Sequence, residues 1–219
     1  MLEQVAANFW RCPLCGAEAL FWQHVLTRDY YRCQICDLIF VDLRQRVAPH
    51  RELQQYLQHQ NAEDDEGYLI FQDQLLLPMQ KYLTQPRRIM EFGSGPSPVF
   101  AHRLEKLGHH VSRFDIYFAA DANVLSGQQR YEVITAIEVF EHLRDPGMTL
   151  QTWRRLLRPG GWLGVMSLIW QDRDDFTNWW YLRDPTHITF LTPKTIRFIG
   201  DQYGWLLVYQ SARVVIWQN

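Results

Sequence analysis

From residue 87 onward the chain alternates strand-like and helix-like stretches, and few folds accept that order. "RRIMEF" reads as a strand, and "SPVFAHRLEKLG" as a helix with Val99, Phe100, Leu104 and Leu107 along one face. "HHVSRFDIY" is a second strand, and "YEVITAIEV" is apolar enough to be buried on both faces. "DPGMTLQTWRRLLRPGG" reads as a helix running from an Asp145-Pro146 start to a Pro159-Gly160-Gly161 stop. "WLGVMSLIW" is another buried strand, "TPKTIRFIGDQYG" a helix opened by Thr192 and Pro193, and "WLLVYQ" and "RVVIWQN" two strands joined by a tight turn. The order implies an α/β fold: a mostly parallel sheet with an antiparallel C-terminal edge strand.

The first 36 residues obey a different rule. Cys12-Pro13-Leu14-Cys15 and Cys33-Gln34-Ile35-Cys36 are two C-x-x-C knuckles separated by 17 residues, and no other cysteine exists. Four thiolates from two tight turns suit tetrahedral Zn²⁺ and leave no open coordination position, so the site reads as a structural zinc ribbon over 1–43. The aromatic, strand-like "ALFWQHVLTRDYYRC" between the knuckles suits a small hairpin sheet that needs its metal to fold. His24 reads as a packing or surface residue. Residues 44–86 read as a helical linker or cap, interrupted around Asn61 to Gly67, and the acidic run Glu63-Asp64-Asp65-Glu66 as a solvated loop or helix start.

Composition narrows the function classes. At 219 residues with 47% hydrophobic and 21% charged, the chain can bury one sizeable core, and a net charge of −2 gives no global field for nucleic acid or acidic membranes. No basic segment leads into an apolar run, and no stretch approaches the roughly 18 apolar residues of a membrane span. The expectation is a cytoplasmic protein without membrane contact, of open oligomeric state.

In such a sheet, ligands bind beyond the carboxyl ends of the strands, and the first strand-to-helix loop does much of the holding. Gly93-Ser94-Gly95 occupies that loop. Asp115, 20 residues after Gly95, ends the second strand, where a carboxylate can accept both hydroxyl protons of a ribose. Pro96 and Pro98 remove two amide donors, a loss for a pyrophosphate but none for a cofactor without phosphates. That disfavours a nicotinamide dinucleotide.

"MEFGSGPSP", "FDIYFAAD", "YEVITAIEVFEHLRDP" and "WRRLLRPGGWLGVMSL" together resemble the successive motifs of class I S-adenosylmethionine-dependent methyltransferases, with a Rossmann-like sheet. The ribbon and "RDPTHITF" resemble one uncharacterised bacterial branch of that superfamily. The resemblance covers 87–219, the methyltransferase domain. It implies that Glu91, Gly93, Ser94 and Gly95 line the methionine end of S-adenosylmethionine. By the same resemblance Asp115 binds the ribose, Ile116 and Tyr117 lie against the adenine, and Glu138 and Val139 flank the sulfonium. Only 16 residues separate Asp115 from Glu132, too few for the usual helix-strand-helix excursion, which leaves Asp121 and Asn123 as adenine-side candidates.

Methyl transfer from a sulfonium is an in-line displacement that depends on positioning and, for some nucleophiles, on a base. His142, in "EVFEHL", and His187, in "YLRDPTHITF" with Asp184 beside it, are the candidate bases. Each has an alternative reading as a loop-pinning histidine. Trp179-Trp180-Tyr181 is either an aromatic wall for an acceptor or a plug packed on the sheet. The leading function is methyl transfer to a small molecule. An RNA methyltransferase that grips through its ribbon is a second reading, weakened by six Lys/Arg against six Asp/Glu in residues 1–60. A non-catalytic cofactor-binding or protein-interaction module is a third.

Overall fold

The computed structural model describes residues 9–58 and 62–219. Of the interruption expected around Asn61 to Gly67, Asn61 lies outside the described residues, and the helix that follows starts at Glu66. Among these residues no helix is long and apolar enough to cross a membrane.

The first sheet is the ribbon's. β1 (Phe9–Arg11), β2 (Glu18–Val25), β3 (Arg28–Cys33) and β4 (Ile39–Val41) form an antiparallel meander. Its fifth strand is β9 (Thr189–Phe190), drawn from far down the chain, with Ile39 opposite Phe190 and Phe40 opposite Thr189. The ribbon therefore shares a sheet with the strand-helix region that follows it.

Two helices, α1 (Pro49–Tyr56) and α2 (Glu66–Gln80), lead into the second sheet; Asp65 caps α2 by accepting from the Tyr68 amide. That sheet contains β5 (Arg88–Phe92), β6 (His110–Phe114), β7 (Tyr131–Ile137), β8 (Leu157–Met166), β10 (Leu206–Gln210) and β11 (Val214–Gln218). The spatial order is β10-β11-β8-β7-β5-β6. β6, β5, β7 and β8 run parallel, and the C-terminal hairpin supplies the antiparallel pairing expected at that end. Among the described residues nothing pairs beyond β6, because 116–130 is too short to return another strand.

The strands alternate as a two-sided buried sheet must. Met90, Ile134, Leu163, Val165 and Trp217 face one cluster with Leu150 and Trp153 of α4 (Pro146–Leu156), Ile196 and Ile199 of α5 (Pro193–Tyr203), and Leu38 and Phe40 of the ribbon. Ile89, Val133, Met166, Val214 and Ile216 face the other way, onto Leu75 and Met79 of α2 and Phe100 and Leu104 of α3 (Val99–Lys106). A third cluster joins Tyr30, Ile39 and Val41 of the ribbon to Trp170, Phe176, Tyr181, Leu182 and Phe190.

Thr192 caps α5 as its sequence indicates, accepting from the Thr195 amide at 3.1 Å. One boundary departs from the sequence reading. α4 stops at Leu156, and Pro159-Gly160-Gly161 lies inside β8 instead of ending the helix. Pairing decides it: Leu157 is already opposite Tyr131 of β7, and Gly160 and Gly161 exchange backbone bonds with Asn219 beyond β11.

Candidate functional site

The exits of β5, β6 and β7 converge on a cavity of about 670 Å³. The β5 exit turns sharply. Gly93 has φ +78°, and a Cβ there would stand 2.3 Å from Val139 Cγ2, so only glycine fits. The Gly93 and Ser94 amides donate to Phe114 O at 2.7 and 3.3 Å, which laces the loop to the neighbouring strand. Ser94, Gly95, Val139, Ile116 and Tyr117 line the cavity with Gly93.

Asp115 is 9% exposed and works as a clasp. Its Oδ2 accepts from the Gly95 amide at 2.9 Å, and its Oδ1 from the amides of Tyr117 and Phe118 at 2.8 and 3.1 Å. Both lone pairs of Oδ1 are engaged, and one remains on Oδ2. The carboxylate can therefore accept one ribose hydroxyl, not the bidentate pair expected from sequence. Glu91 does not reach the cavity. It is buried beneath the loop with Oε2 unpartnered, and desolvation pushes its carboxyl up to about 8. Asp121 and Asn123 do not line the cavity either: Asp121 caps a surface turn by accepting from the Asn123 amide. The apolar side there comes from Phe118, Leu125 and Met148.

Beyond the β7 exit the chemistry changes. Glu138, at φ +50°, accepts from Arg213 Nη1 at 3.1 Å. Tyr181 Oη lies 3.1 Å from Glu138 Oε2 and 2.5 Å from Glu141 Oε1. One hydroxyl proton cannot serve both acids. Desolvation, with Glu141 beside it, pushes Glu138 up to about 8, and complete burial pushes Glu141 up to about 7.

The two candidate bases stand together on the cavity wall, and Asp184 lines it with them. His142 Nδ1–H donates to Thr186 O at 3.1 Å, and His187 Nδ1–H to Tyr181 O at 2.8 Å. Those bonds fix both tautomers and leave both Nε2 lone pairs free. The rings are 4.8 Å apart. His187 Nε2 lies 3.9 Å from Asp184 Oδ2, and His142 Nε2 lies 4.0 Å from Glu141 Oε1. Burial, then the neighbouring His142, pushes His187 down to about 4, and burial lowers His142 as well. Both imidazoles are neutral proton acceptors at neutral pH. Ligand atoms of Glu141, His142 and His187 also lie within 4.8 Å of one another, close enough for one divalent cation to reach all three.

The aromatic triplet packs instead of lining the cavity. Trp179 and Tyr181 sit against Phe190, and Trp180 is 53% exposed. Sequence reasoning missed the wall that replaces it: Glu52 and Tyr56 of α1 with Tyr68 and Phe71 of α2. Glu52 accepts from Tyr56 Oη at 2.9 Å and from Arg144 at 3.1 Å, which fixes α1 over the opening. The aromatic spacing of these helices was the available signal.

In the ribbon, Cys12 Sγ lies 3.5 Å from Cys36 Sγ and Cys15 Sγ 3.4 Å from Cys33 Sγ, with all four sulfurs within 4.8 Å of one another. These separations are too long for disulfides and close to those of thiolates bound about 2.3 Å from one tetrahedral ion. The quartet fits zinc. His24 bonds Asp29 at 2.6 Å.

Comparison with known proteins agrees with this geometry. A 67-residue stretch is 40% identical to the ubiquinone biosynthesis O-methyltransferase of Leptothrix cholodnii, covering 31% of this chain and 28% of that protein. The counterpart from Serratia proteamaculans is 31% identical over the same lengths. The chain thus matches little more than a quarter of these relatives. Among solved structures, Burkholderia thailandensis 1,6-didemethyltoxoflavin-N1-methyltransferase with bound 1,6-didemethyltoxoflavin and S-adenosylhomocysteine superposes with a TM-score of 0.53 at 14% identity, covering 91% of this chain and 98% of that one. A Methanosarcina mazei S-adenosylmethionine-dependent methyltransferase gives 0.52 at 15% identity, over 65% and 96%. The sequence model of the family described as a methyltransferase domain matches residues 58–210, well over half of the chain. The chain belongs to the methyltransferase-domain family, and its sheet is that of the class I S-adenosylmethionine-dependent methyltransferases.

Proposed function

We propose that the protein transfers the methyl group of S-adenosylmethionine to a hydroxyl oxygen of a small aromatic acceptor, with the His142–His187 pair taking the hydroxyl proton. The observation that carries this reading is the meeting of two walls in one cavity: the glycine loop with Asp115 on one side, two neutral imidazoles on the other. Gly93, Ser94, Gly95, Asp115 and Val139 would hold the cofactor, and its sulfonium supplies an electrophilic methyl. The loop suits a ligand without phosphates, since Pro96 and Pro98 offer no amide there. The family and the S-adenosylhomocysteine in the Burkholderia relative support the cofactor, and the O-methyltransferase names of the curated relatives support oxygen as the acceptor atom.

The residues' own work is to bind, orient and accept a proton. Tyr56, Phe71 and Phe92 offer aromatic faces to a flat acceptor. His187, held by Tyr181 O, presents an unprotonated Nε2 to the cavity, with Asp184 Oδ2 3.9 Å from that nitrogen. Thr186 steadies Asp184 through its amide and hydroxyl, which hold that carboxyl below its usual range against the upward pull of burial. The four ribbon cysteines would hold a structural Zn²⁺ with no position left for substrate.

Calorimetric titration with S-adenosylmethionine and methyl transfer to catechol test the reading. The expected result is saturable cofactor binding, with a loss of kcat on the order of 10²-fold or more in His187→Gln. No binding heat at micromolar protein would sink it.

A further inference from the structure

Arg28 opens β3 at the tip of the ribbon hairpin, yet its side chain leaves the ribbon and is 8% exposed. The guanidinium donates to four backbone carbonyls of a single turn 154 to 159 residues away. Nη1 reaches His187 O at 2.9 Å and Pro185 O at 3.2 Å. Nη2 reaches Leu182 O at 2.5 Å and Asp184 O at 3.4 Å. The Tyr30 ring lies 5.5 Å from its Cζ. Carbonyl oxygens thus do the work a carboxylate does for most buried cations. Taking a cation out of water costs several kcal/mol unless its protons are fully engaged. A planar fork can satisfy four converging carbonyls; the single nitrogen of a lysine cannot.

The turn so gripped is the one that carries Asp184 and His187 to the cavity. It is pressed from both sides. Toward the ribbon, the Val41 amide donates to Ile188 O at 2.9 Å; toward the β7 exit, the Ile188 amide donates to Glu141 O at 2.7 Å and His142 Nδ1–H to Thr186 O at 3.1 Å. Within the turn, Asp184 Oδ1 accepts from Thr186 and the His187 amide donates to Asp184 O at 3.2 Å, which leaves the carbonyls of Leu182, Pro185 and His187 to Arg28.

We propose that Arg28 is a positioning residue for methyl transfer: a ribbon side chain that fixes the 182–187 turn so that His187 and Asp184 stand opposite His142 at the acceptor end of the cavity. The inference rests on the methyltransferase reading above. The ribbon is then part of the acceptor site, its metal-dependent hairpin serving as the frame for a catalytic turn. Without the guanidinium, the carbonyls of Leu182, Pro185 and His187 lose their donor in a largely dry setting, which is costly enough to rearrange the turn. A base displaced by an ångström forfeits much of the rate.

The test compares zinc-loaded wild type with Arg28→Lys and Arg28→Ala. Three readouts are taken: S-adenosylmethionine affinity by calorimetry, kcat and KM with catechol, and amide exchange followed by mass spectrometry. Expected are cofactor affinities within about twofold of wild type and a kcat lowered on the order of 10²-fold in both variants. Exchange should rise over 180–190 while 88–100 stays protected, and methylguanidinium added to Arg28→Ala should restore both protection and rate. A kcat unchanged in both variants overturns the proposal. So does cofactor affinity falling in step with kcat, or exchange rising across the whole chain in Arg28→Lys, since either makes Arg28 a general stabiliser. If wild type binds cofactor but leaves catechol unmethylated, the acceptor class fails instead. The exchange pattern and its rescue by methylguanidinium then decide the clamp alone.

Discussion

The two walls of the cavity are built by opposite means. The wall proposed for the cofactor is local and made of backbone: residues 93–97 and 115–118, fastened by amides to Phe114 O and to the Asp115 carboxylate. The wall proposed for the acceptor is assembled from side chains that the sequence scatters. Glu141 and His142 follow β7, Tyr181, Asp184 and His187 come from the long 167–188 segment, Arg213 precedes β11, and Arg28 reaches in from the ribbon. A wall held by backbone tolerates most side-chain changes but not a Cβ in the wrong place. A wall held by side chains can be dismantled from a distance.

The largest separation of the two should come from zinc. Structural zinc contributes on the order of 10 kcal/mol of apparent folding free energy. Stripping it with a tight chelator, or substituting Cys33→Ser, is expected to abolish methyl transfer and leave 180–190 unprotected in amide exchange. S-adenosylmethionine binding should persist within about tenfold. Cofactor binding that vanishes together with the ribbon would break the comparison. Gly93→Ala strikes the other wall. The left-handed backbone costs an alanine about 1–2 kcal/mol, and its Cβ meets Val139 at 2.3 Å. Cofactor affinity should fall at least tenfold by calorimetry while exchange in the ribbon stays as in wild type.

The smallest effect belongs to Glu91, which lies under the cofactor wall without lining it. Its folded carboxyl keeps a proton until about 8, whereas the unfolded one releases it near 4.5. Between those values the unfolded state binds fewer protons, so this group weakens folding as pH rises. Glu91→Gln removes that slope. The variant should match wild type in thermal midpoint at pH 4 and exceed it by ~2–4 °C or more at pH 8, with cofactor affinity unchanged. A constant offset across pH would show that Glu91 is not charged at the expense of the fold.

Legibility followed the same division. The cysteine quartet, the Gly93 turn, Asp115 at the end of the second strand and Thr192 at its cap are each set within a few residues, so spacing alone exposes them. Even there, the sequence was silent on the amides that already occupy most of Asp115. What it could not show depends on partners far away in the chain. The stop in "RPGG" yields to the pairing of Leu157 with Tyr131 and becomes strand. Tyr181 turns inward to buried Glu141 and half-buried Glu138, leaving α1 and α2 to provide the aromatic surface. Arg28 resembled any surface arginine.

The pairing of β4 with β9 has a consequence for the order of events at the ribosome. The ribbon is made before β9 and, given zinc, can close early, but the partner for Ile39 and Phe40 lies about 150 residues further on. At ~5–20 residues per second the open edge waits roughly 7–30 s for Thr189 and Phe190 to emerge. During that interval a short apolar strand edge faces solvent or any other nascent chain, and its three-residue length is what limits the hazard. The newborn protein thus carries its own unfinished seam, sealed only when the turn bearing His187 arrives.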